Sequence, residues 1–535
     1  MNAECFPIFV VPGLSRIFLD FCAGATVVRP WYAAVPRDRA WQRTQHSFDD
    51  IRRTSIAYLL ASQNPDSLSP QIDRIRQGAG VVVTGQQVGL FGGPSYVPYK
   101  ASTAIAFARE ATASGQEHVP IFWLATEDHD FAEVNHVVFP ARRELKTLSY
   151  SAAPSVAVPV GGIVLDETIT PLIDHAWELL GYSDAMEALA AAYRPGQTLA
   201  GAFAEFYQKI FAAQGLLTLD ASSREAHRLG LPVLQAAIER ADELHVALLE
   251  RNREILAAGY HAQVAVADRN SLLFLIDERT GVRTALKRTE ATTAEPAGLW
   301  QAGRQTYTTA DLVGILAAEP ERISPSALLR PLFQDYILPT SVYIGGPAEI
   351  AYFAQSAVLY EKILGRLTPV LPRLSTTLIE PAIVELLDRH ELAPDSLFGQ
   401  TEAELAQRLA ARAMPIANKQ RLAAVGNALD AELTALTEYM ASLDEGLGRS
   451  AHTSASKMRY QMNRLRRLSA NFELQREASL GRHAQALVQS LYPHGALQER
   501  LIGAAYYLAR YGEPLVDKLL EEAADACPGH KFLRL

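Results

Sequence analysis

Residues 81–125 constrain the fold of this chain more than any other part of its sequence. They open with three β-branched residues at 81–83 and continue into the glycine-rich stretch TGQQVGLFGGP at 84–94. Small and apolar residues then recur at helical spacing over 98–112, and the apolar run PIFWLA at 120–125 predicts a second buried strand. A strand, a glycine-rich loop, a helix and another strand form a βαβ unit, so the sequence predicts a parallel sheet.

The rest of the first 380 residues alternates helical and strand patterns, which indicates an α/β core interrupted by insertions. A strand is predicted at 263–266. An apolar, strand-rich pattern at 331–344 leads into two glycines and then into a predicted helix at 348–364. This second run of strand, glycines and helix therefore has the same order of elements as the first.

A different pattern marks the part of the chain between Pro415 and Pro493, which contains no proline and carries a heptad-like apolar repeat. The residues of the repeat are Leu422, Val425, Leu429, Leu433, Leu436, Met440, Leu443, Leu447, Met458, Met462, Leu465 and Phe472. A stretch rich in glycine, serine and threonine at 446–454 predicts a turn within it. The pattern predicts two antiparallel helices forming a coiled coil, with two ordinary core helices as the alternative.

These patterns predict three parts of the chain. Residues 1–380 form the α/β core with its insertions, residues 381–490 form the coiled-coil domain, and residues 491–535 form a helical segment that packs on the main body. With 535 residues, of which 49% are hydrophobic, the chain is long enough to bury more than one core.

Charge and composition narrow the functional classes. A formal net charge of -9 argues against general nucleic-acid binding, because phosphate contacts need a basic face. No apolar run approaches the roughly 18 residues of a membrane span, and the N-terminus has no secretory signal, which predicts a cytoplasmic protein with no membrane partner. The cysteines, Cys5, Cys22 and Cys527, lie far apart and form no CxxC motif, so three free thiols are expected.

Two polar segments border the predicted βαβ unit. Glycines in the 84–94 loop let the backbone approach an anion, and Lys100 in the following helix adds a positive charge; a purely structural turn is the alternative. The run EDHDFAEVNH at 127–136 follows the second strand, at the edge where open α/β sheets bind ligands. A carboxylate beside a histidine can act as a general base or ligate a metal, and a solvated loop is the third interpretation.

Two further segments carry candidate binding residues. Arg330 stands in an apolar setting, so it needs an acidic partner or a bound anion; a structural salt bridge is the alternative to a ligand. Gly345 and Gly346 follow a predicted strand and can admit a ligand near a helix start. Glu349 either serves that ligand or favours the helix start by its charge.

Four long segments, in their order along the chain, resemble the signature of the bacillithiol biosynthesis cysteine-adding enzyme family. They are VVVTGQQVGLFGGPSYVPYKASTAI at 81–105, VPIFWLATEDHDFAEVNHV at 119–137, LLRPLFQDYILPTSVYIGGPAEIAYF at 328–353 and GALQERLIGAAYYLARYG at 495–512. The resemblance implies an α/β fold with a Rossmann-like core of the nucleotidylyl-transferase type, connecting insertions, and an α-helical antiparallel coiled coil that supports a homodimer.

The same resemblance implies the last step of bacillithiol biosynthesis, in which the carboxyl group of cysteine is joined to the amine of glucosaminyl-malate. Forming an amide from a carboxylate is uphill in water, so activation through an ATP-derived acyl-adenylate or acyl-phosphate is expected, and ATP or ADP is the expected cofactor. No metal is expected. The expected partners are therefore the two small-molecule substrates and a second copy of the chain.

Resemblance and residue chemistry together assign the candidate roles. Asp128, His129 and Asp130 are the candidate catalytic residues, as bases for an incoming ammonium. Gly89, Gly93 and Lys100 are the candidate nucleotide contacts. The candidate substrate-binding residues are Thr84, Gly85, Gln86, Gln87, Gly92, Asn135, His136, Arg330, Gln334, Tyr343, Gly345, Gly346 and Glu349, with Arg330 expected to grip a malate carboxylate.

The sequence also departs from the related nucleotidylyl transferases. Their loop after the first strand carries histidines, whereas this loop carries Gln86 and Gln87, and a glutamine cannot become cationic. The position of a nucleotide is therefore left open. A nucleotide-responsive binding or scaffold protein, and a metal-dependent hydrolase built on the 127–136 segment, are the alternative functions.

Overall fold

The computed structural model describes residues 2–35, 38–44, 46, 48–142, 144–152, 154–267, 269–289, 299–525, 527 and 529–535. They form two compact units. The core unit comprises Met1–Thr377 and Glu499–Leu533, and the helical unit comprises Leu378–Gln498 and Arg534–Leu535. The domain limits expected from the sequence, 380 and 490, stay a prediction, because a compact unit is not by itself a domain that folds alone.

The strands and helices follow one another over the whole described chain. The strands are β1 (Asn2–Phe6), β2 (Gly80–Gln86), β3 (His118–Leu124), β4 (His136–Pro140), β5 (Leu145–Ser149), β6 (Leu217–Asp220), β7 (Asn270–Ile276), β8 (Arg283–Arg288), β9 (Trp300–Ala302), β10 (Gln305–Tyr307), β11 (Ile323–Pro325), β12 (Thr340–Gly345), β13 (Val370–Pro372), β14 (Thr376–Ile379) and β15 (His530–Arg534). The helices are α1 (Arg16–Cys22), α2 (Asp50–Gln63), α3 (Ser69–Arg76), α4 (Tyr96–Ala113), α5 (Phe131–Val134), α6 (Ile169–Leu180), α7 (Asp184–Ala192), α8 (Leu199–Ile210), α9 (Arg224–Glu239), α10 (Ala241–Ala257), α11 (Thr309–Ala318), α12 (Arg330–Ile337), α13 (Pro347–Ile363), α14 (Pro381–Arg389), α15 (Glu402–Ala413), α16 (Ile416–Leu443), α17 (Glu445–Arg476), α18 (Ala478–Leu491), α19 (Gln498–Leu501) and α20 (Ala504–Ala524). None of these helices is long and apolar enough to cross a membrane.

A parallel sheet in the order β13-β12-β2-β3-β6 organises the core unit. Its strands β3 and β12 are buried along their whole length, as expected of a sheet covered on both faces. The chain leaves β2 through α4 to reach β3 on one side, while β12 pairs with β2 on the other side. The carboxyl ends of β2 and β12 therefore border a point where the strand order reverses, which is where open α/β sheets bind ligands.

Two antiparallel elements add residues to the same unit. One sheet has the order β10-β9-β8-β7-β11, and β4 pairs with β5 as a separate hairpin. The strand predicted at 263–266 is wrong. Both backbone groups of Val264 bind the side-chain amide of Gln355, at 2.9 Å each, so they do not take part in a ladder.

The strand-rich pattern predicted at 331–344 is wrong in its first half, which is the helix α12. Pro331 lies in the first turn, where its missing N–H has no partner to lose. Leu332, Phe333 and Ile337 are buried on one side of the helix. The second half is the buried strand β12, so this apolar run changes structure partway along.

The turn predicted at 446–454 is also wrong. Asp444 alone separates α16 from α17, and its carboxylate accepts a hydrogen bond from the N–H of Leu447 at 2.8 Å, as a helix N-cap. Gly448 instead allows close packing, because a Cβ there would lie 2.8 Å from the Cα of Ala441. Glycine at this position therefore brings two helices together rather than turning the chain.

The residues of the predicted heptad-like repeat differ in burial within the helical unit. Leu433 and Met462 are buried, together with small residues of α16 and α17 such as Gly426 and Ala455. Leu422, Leu429 and Met440 are half-buried, and the remaining large apolar side chains of the repeat lie open to solvent. This set, called the exposed apolar set below, is Val425, Leu436, Leu443, Leu447, Met458, Leu465 and Phe472.

The C-terminal segment returns to the core unit, where α20 packs against α4. It ends in β15, which was not predicted and which lies between β1 and β14 in a small sheet. This pairing brings Cys5 and Cys527 together as a disulfide across 522 residues of sequence, with their Cα atoms 6.4 Å apart. The expectation of three free thiols is therefore wrong for two of them, because strand pairing between the chain ends is invisible in cysteine spacing. Cys22 stays free.

Candidate functional site

A cavity of about 710 Å³ lies in the core unit at the carboxyl ends of β2, β3 and β12. The loops that follow these strands supply most of its wall. Phe274 of β7 and Arg283 of β8 complete one side, and Val137 and Val138 of β4 contribute to another. The geometry is that of a ligand site at the switch point of a parallel sheet.

Most of the candidate residues named from the sequence line this one cavity. They are Gly85, Gln86, Gln87, Gly89, Gly93, Lys100, Asp128, His129, His136, Arg330, Tyr343, Gly346 and Glu349. The structure thus brings together three segments that lie up to 264 residues apart in the chain. Their roles in binding and catalysis stay predictions.

Some candidates do not line the cavity. The hydroxyl of Thr84 donates to the carbonyl of Ile344 at 2.9 Å, so it ties β2 to β12. Gln334 is fully buried and accepts a hydrogen bond from Arg330 at 3.1 Å, which makes it a support for that arginine. Gly345 faces the packing between β12 and α13.

Three more candidates belong to the surrounding loops. Asp130 is exposed and outside the cavity wall. Asn135 joins its segment to Tyr150: its carbonyl accepts from the N–H of Tyr150 at 2.8 Å. Gly92 is buried beneath the cavity wall, where a Cβ would meet the ring of Phe206 at 2.7 Å.

The glycine-rich loop is held by two buried tyrosines from the insertion after β5. The hydroxyl of Tyr193 accepts from the N–H of Gly92 at 2.9 Å and donates to the carbonyl of Gly89 at 2.8 Å. The hydroxyl of Tyr207 donates to the carbonyl of Gly92 at 2.6 Å. The N–H of Gly93 donates to the carbonyl of Leu90 within the loop. These polar groups are used by the protein itself and do not form an open cradle for phosphate.

Lys100 links the loop after β2 to the loop after β12. Its ammonium donates to the carbonyl of Gly85 at 2.6 Å and to Gln86 Oε1 at 3.0 Å, and it forms an ion pair with Glu349. The side chain is 2% exposed, and this burial lowers the pKa of Lys100 to about 8. Its three N–H donors are therefore occupied, and phosphate binding would have to displace one of these partners.

Glu349 is equally saturated. Its carboxylate accepts from the hydroxyl of Tyr343 at 2.5 Å and from the N–H of Gly346 at 2.7 Å, besides pairing with Lys100. Burial alone would raise the pKa of Glu349, but the charge of Lys100 outweighs it and holds that pKa below its ordinary value. The buried pair fixes the shape of this end of the cavity.

The acidic and histidine-rich segment is held by contacts of its own. Asp128 accepts from the N–H of His129 at 2.7 Å and from the side-chain amide of Gln87 at 2.6 Å. His129 Nδ1 lies 3.0 Å from Arg283 Nη1. A guanidinium can only donate, so Nδ1 is the acceptor, and the neutral imidazole carries its proton on Nε2.

Three arginines of the cavity wall, Arg283, Arg330 and the exposed Arg500, have no direct ionic partner among the described residues. Arg330 donates to Gln334 and, at 2.9 Å, to the hydroxyl of Tyr352. Arg283 donates to Ser324 at 2.9 Å and lies 3.7 Å from the ring centroid of Phe274. Among the described residues neither guanidinium has a carboxylate within ion-pair distance, so both charges are available to an anionic ligand.

Sequence reasoning missed several residues that shape this site, among them Arg283 and His227. Arg283 gave no signal, because the first residue of a short strand carries no distinctive pattern. His227 of α9 is fully buried, and its Nε2 lies 2.8 Å from Oε1 of the cavity residue Glu127. The two are 100 residues apart in the chain, so only the fold brings them together.

The described residues contain no group of three or more histidine, cysteine or acidic side chains arranged to hold a metal ion. The polar groups of the cavity are instead paired with one another or with backbone atoms. The donor set therefore gives no support to the metal-dependent hydrolase considered from the 127–136 segment.

Comparison with known proteins gives matches over the whole chain. The family model described as "Bacillithiol biosynthesis BshC, N-terminal Rossmann-like domain" matches residues 1–374, and "Bacillithiol biosynthesis BshC, C-terminal coiled-coil domain" matches residues 376–535. These matches and the two units confirm the predicted Rossmann-like core and coiled coil.

Several relatives share the name "Putative cysteine ligase BshC". A protein of Koribacter versatilis is 38% identical over 544 residues, and one of Solibacter usitatus is 34% identical over 539 residues, with all of both chains covered in each case. A protein of Salinibacter ruber is 30% identical over 520 residues, which cover 94% of this chain and 93% of that protein.

Proposed function

This chain belongs to the bacillithiol biosynthesis BshC family, and from that premise we propose that it is a cysteine ligase that joins the carboxyl group of cysteine to the amine of glucosaminyl-malate. The observation that carries the proposal is the pair of arginines, Arg283 and Arg330, whose charges enter the cavity without ionic partners among the described residues. The malate part of the acceptor carries two carboxylates, which are the anions that such guanidinium groups bind best.

Arg330 is proposed to grip one malate carboxylate. Its guanidinium is oriented by Gln334 and by the hydroxyl of Tyr352, so little freedom is lost when an anion binds. The remaining proposed substrate contacts in the wall are Gly85, Gln86, Gln87, His136, Tyr343, Gly346 and Glu349.

His129 is proposed to act through its Nε2–H. Because Arg283 occupies Nδ1, the neutral imidazole offers a donor rather than a free lone pair. Such a donor suits the oxygen that gains negative charge when an amine attacks an acyl group. Asp128 is proposed to hold the 127–136 segment in place through its hydrogen bond with the N–H of His129. Asp130, which is exposed and outside the cavity wall, is proposed to assist catalysis from there.

Activation of the cysteine carboxyl is proposed to draw on a bound nucleotide, ATP or ADP, because amide formation needs an energy source. The N–H of Gly93 and the ammonium of Lys100 do not fit the phosphate cradle expected for them, since both already have partners within the protein, and the carbonyl of Gly89 is bound by Tyr193. No step of the reaction is therefore assigned to this loop.

A homodimer in the cytoplasm is proposed as the working form. The exposed apolar set on α16 and α17 supports the dimer, because large apolar side chains left open on a long helix favour burial against a partner. The helical unit thus has both an internal packing face and a face available to a second copy.

The proposal is tested in a bacillithiol-producing strain whose own gene of this family is deleted, by supplying this chain or its variants. We expect the chain to restore bacillithiol, and the empty vector to accumulate glucosaminyl-malate. His129→Ala should abolish bacillithiol production. Arg330→Lys keeps the charge but loses the two-pronged hydrogen bonding of a guanidinium, and should lower bacillithiol by about tenfold or more.

The matched control is Arg109→Lys at an exposed position of α4 outside the cavity, and it should restore bacillithiol fully. Failure of the unmodified chain to restore bacillithiol would refute the ligase function. Near-wild-type thiol with His129→Ala would refute the role of that histidine.

A further inference from the structure

Glu127 and His227 form a buried proton-sharing pair beside the cavity. Glu127 follows β3 and lines the cavity, and its side chain is 9% exposed. His227 comes from α9, is fully buried, and contacts the ring of Phe333 with centroids 5.1 Å apart. Its Nε2 lies 2.8 Å from Glu127 Oε1. Glu127 therefore faces the cavity, and His227 lies behind it, outside the cavity wall.

The second nitrogen of His227 fixes the number of protons in the pair. Nδ1 lies 2.9 Å from the carbonyl of Pro320. A carbonyl can only accept, so Nδ1 carries a proton. One further proton lies between Nε2 and Oε1, on the imidazole or on the carboxyl, and in either case the pair as a whole is neutral. Such a pair can hold a carboxylate in a buried position without a net charge.

The other acids of the cavity wall are less free to accept a proton. Asp128 and Glu133 both accept from the amide of Gln87, and Asp128 also caps its own turn. Glu349 is saturated by Lys100 and its neighbours. Glu133 has no recorded partner for Oε1, but its side chain is exposed. Glu127 differs because it is buried, with His227 as the partner of Oε1 and, among the described residues, no partner for Oε2.

We propose that Glu127 is the catalytic base that removes a proton from the ammonium of the acceptor substrate, and that His227 is its positioning residue. This assignment rests on the proposed ligase function. In the step, an N–H bond of the ammonium breaks, its electron pair stays on nitrogen, and an O–H bond forms at Oε2. The freed lone pair then attacks the acyl carbon of the activated cysteine.

His227 makes this transfer possible by keeping its hydrogen bond to Oε1 of Glu127 while Oε2 takes up the proton. While Oε2 takes up the proton, the imidazolium continues to donate from Nε2 to Oε1, and Nδ1 stays anchored on Pro320. The pair then carries one extra positive charge, which is relieved when the proton passes to water in the open cavity. Because the carboxylate of Glu127 attracts an ammonium and not a neutral amide, the site should bind the free amine more tightly than its acylated form.

The test uses Glu127→Gln, which keeps the shape of the side chain and satisfies its buried neighbour, because the new amide can donate to the bare Nε2 of a neutral His227. In the complementation strain we expect bacillithiol to fall by roughly 100-fold or more, the usual contribution of a general base. The matched control, Glu167→Gln at an exposed position outside the cavity, should produce wild-type thiol levels.

A binding measurement separates this role from a structural one. The purified full chain is titrated calorimetrically with glucosaminyl-malate and with its N-acetylated form at pH 7. The wild-type chain should bind the free amine more tightly than the acetylated form. Glu127→Gln should lose about tenfold in affinity for the amine and keep its affinity for the acetylated form, whereas a damaged cavity would weaken both.

Variants at the second residue complete the test. His227→Gln keeps a donor for Glu127 and should retain part of the discrimination between the two ligands, while His227→Leu should abolish it. Wild-type bacillithiol and undiminished preference for the amine in Glu127→Gln would overturn the assignment. Failure of the unmodified chain to restore any bacillithiol would instead refute the ligase function itself, so the two failures are distinct.

Discussion

Replacing Glu349 by glutamine should destabilise the core unit at neutral pH and much less at alkaline pH. The substitution leaves the ammonium of Lys100 buried with only the neutral acceptors Gly85 and Gln86. Breaking a buried ion pair by removing one partner typically costs about 3–5 kcal/mol. The lysine can escape part of that cost by giving up its proton, which sets an upper limit to the loss.

That limit follows from the pKa of Lys100 in the folded wild type, which burial lowers from the ordinary 10.5 to about 8. Deprotonating such a lysine at pH 7 costs about 1.4 kcal/mol, and at pH 9 it costs nothing. Loss of Glu349 lowers this pKa further. Between that lowered value and 10.5 the folded state binds fewer protons than the unfolded state, so stability rises with pH.

The measurement is urea unfolding of the wild type and Glu349→Gln, followed by tryptophan fluorescence at pH 7 and pH 9. We expect a loss of about 1–2 kcal/mol at pH 7 that disappears at pH 9. The double variant with Lys100→Met should recover part of the loss at pH 7, since it removes the stranded charge. A loss of about 3 kcal/mol or more at pH 7, or one independent of pH, would refute the reasoning.

Three other measurements test the fold. Gly448→Leu should lower the thermal unfolding midpoint of the helical unit, at a cost of about 1–3 kcal/mol, because its Cβ would lie 2.8 Å from the neighbouring helix backbone; an unchanged midpoint would contradict that packing. Denaturation without reductant should expose one titratable thiol, that of Cys22, and reduction should expose three; three thiols before reduction would exclude the disulfide. The native mass measured by light scattering should be that of a dimer, and Leu436→Glu in the exposed apolar set should shift it toward a monomer, whereas a monomeric wild type would rule out the proposed assembly.

Local patterns predicted the parts of the site that lie next to one another in the chain. The run from β2 through the glycine-rich loop to β3 was visible because burial on both faces leaves continuous apolar strands, and the loop between them needs glycine. The repeat of the same order at β12 placed Gly346 and Glu349 near the same edge. Long apolar strands therefore predicted both the sheet and the position of the cavity.

Residues that reach the site from distant elements could not be predicted in this way. Arg283 belongs to an antiparallel strand and His227 to a helix, and neither position differs in sequence from an ordinary surface or core residue. Their importance lies in pairwise contacts with His129 and Glu127, which exist only after the chain has folded. The interpretation of Gly448 as part of a turn was wrong for a different reason. Glycine occurs both in turns and where two helices pack closely, so its presence does not distinguish the two.

The hydrogen bonds from Tyr193 and Tyr207 to the glycine-rich loop determine what would be needed to transfer this site to another protein. The two tyrosines belong to the segment of α7 and α8, which a comparison with a minimal βαβ unit would treat as an insertion. Excising that segment would leave the backbone groups of Gly89 and Gly92 without their buried partners. The βαβ unit and the segment of α7 and α8 therefore form a single structural module, and a graft of the strand, loop and helix alone would keep the sequence of the motif without its conformation.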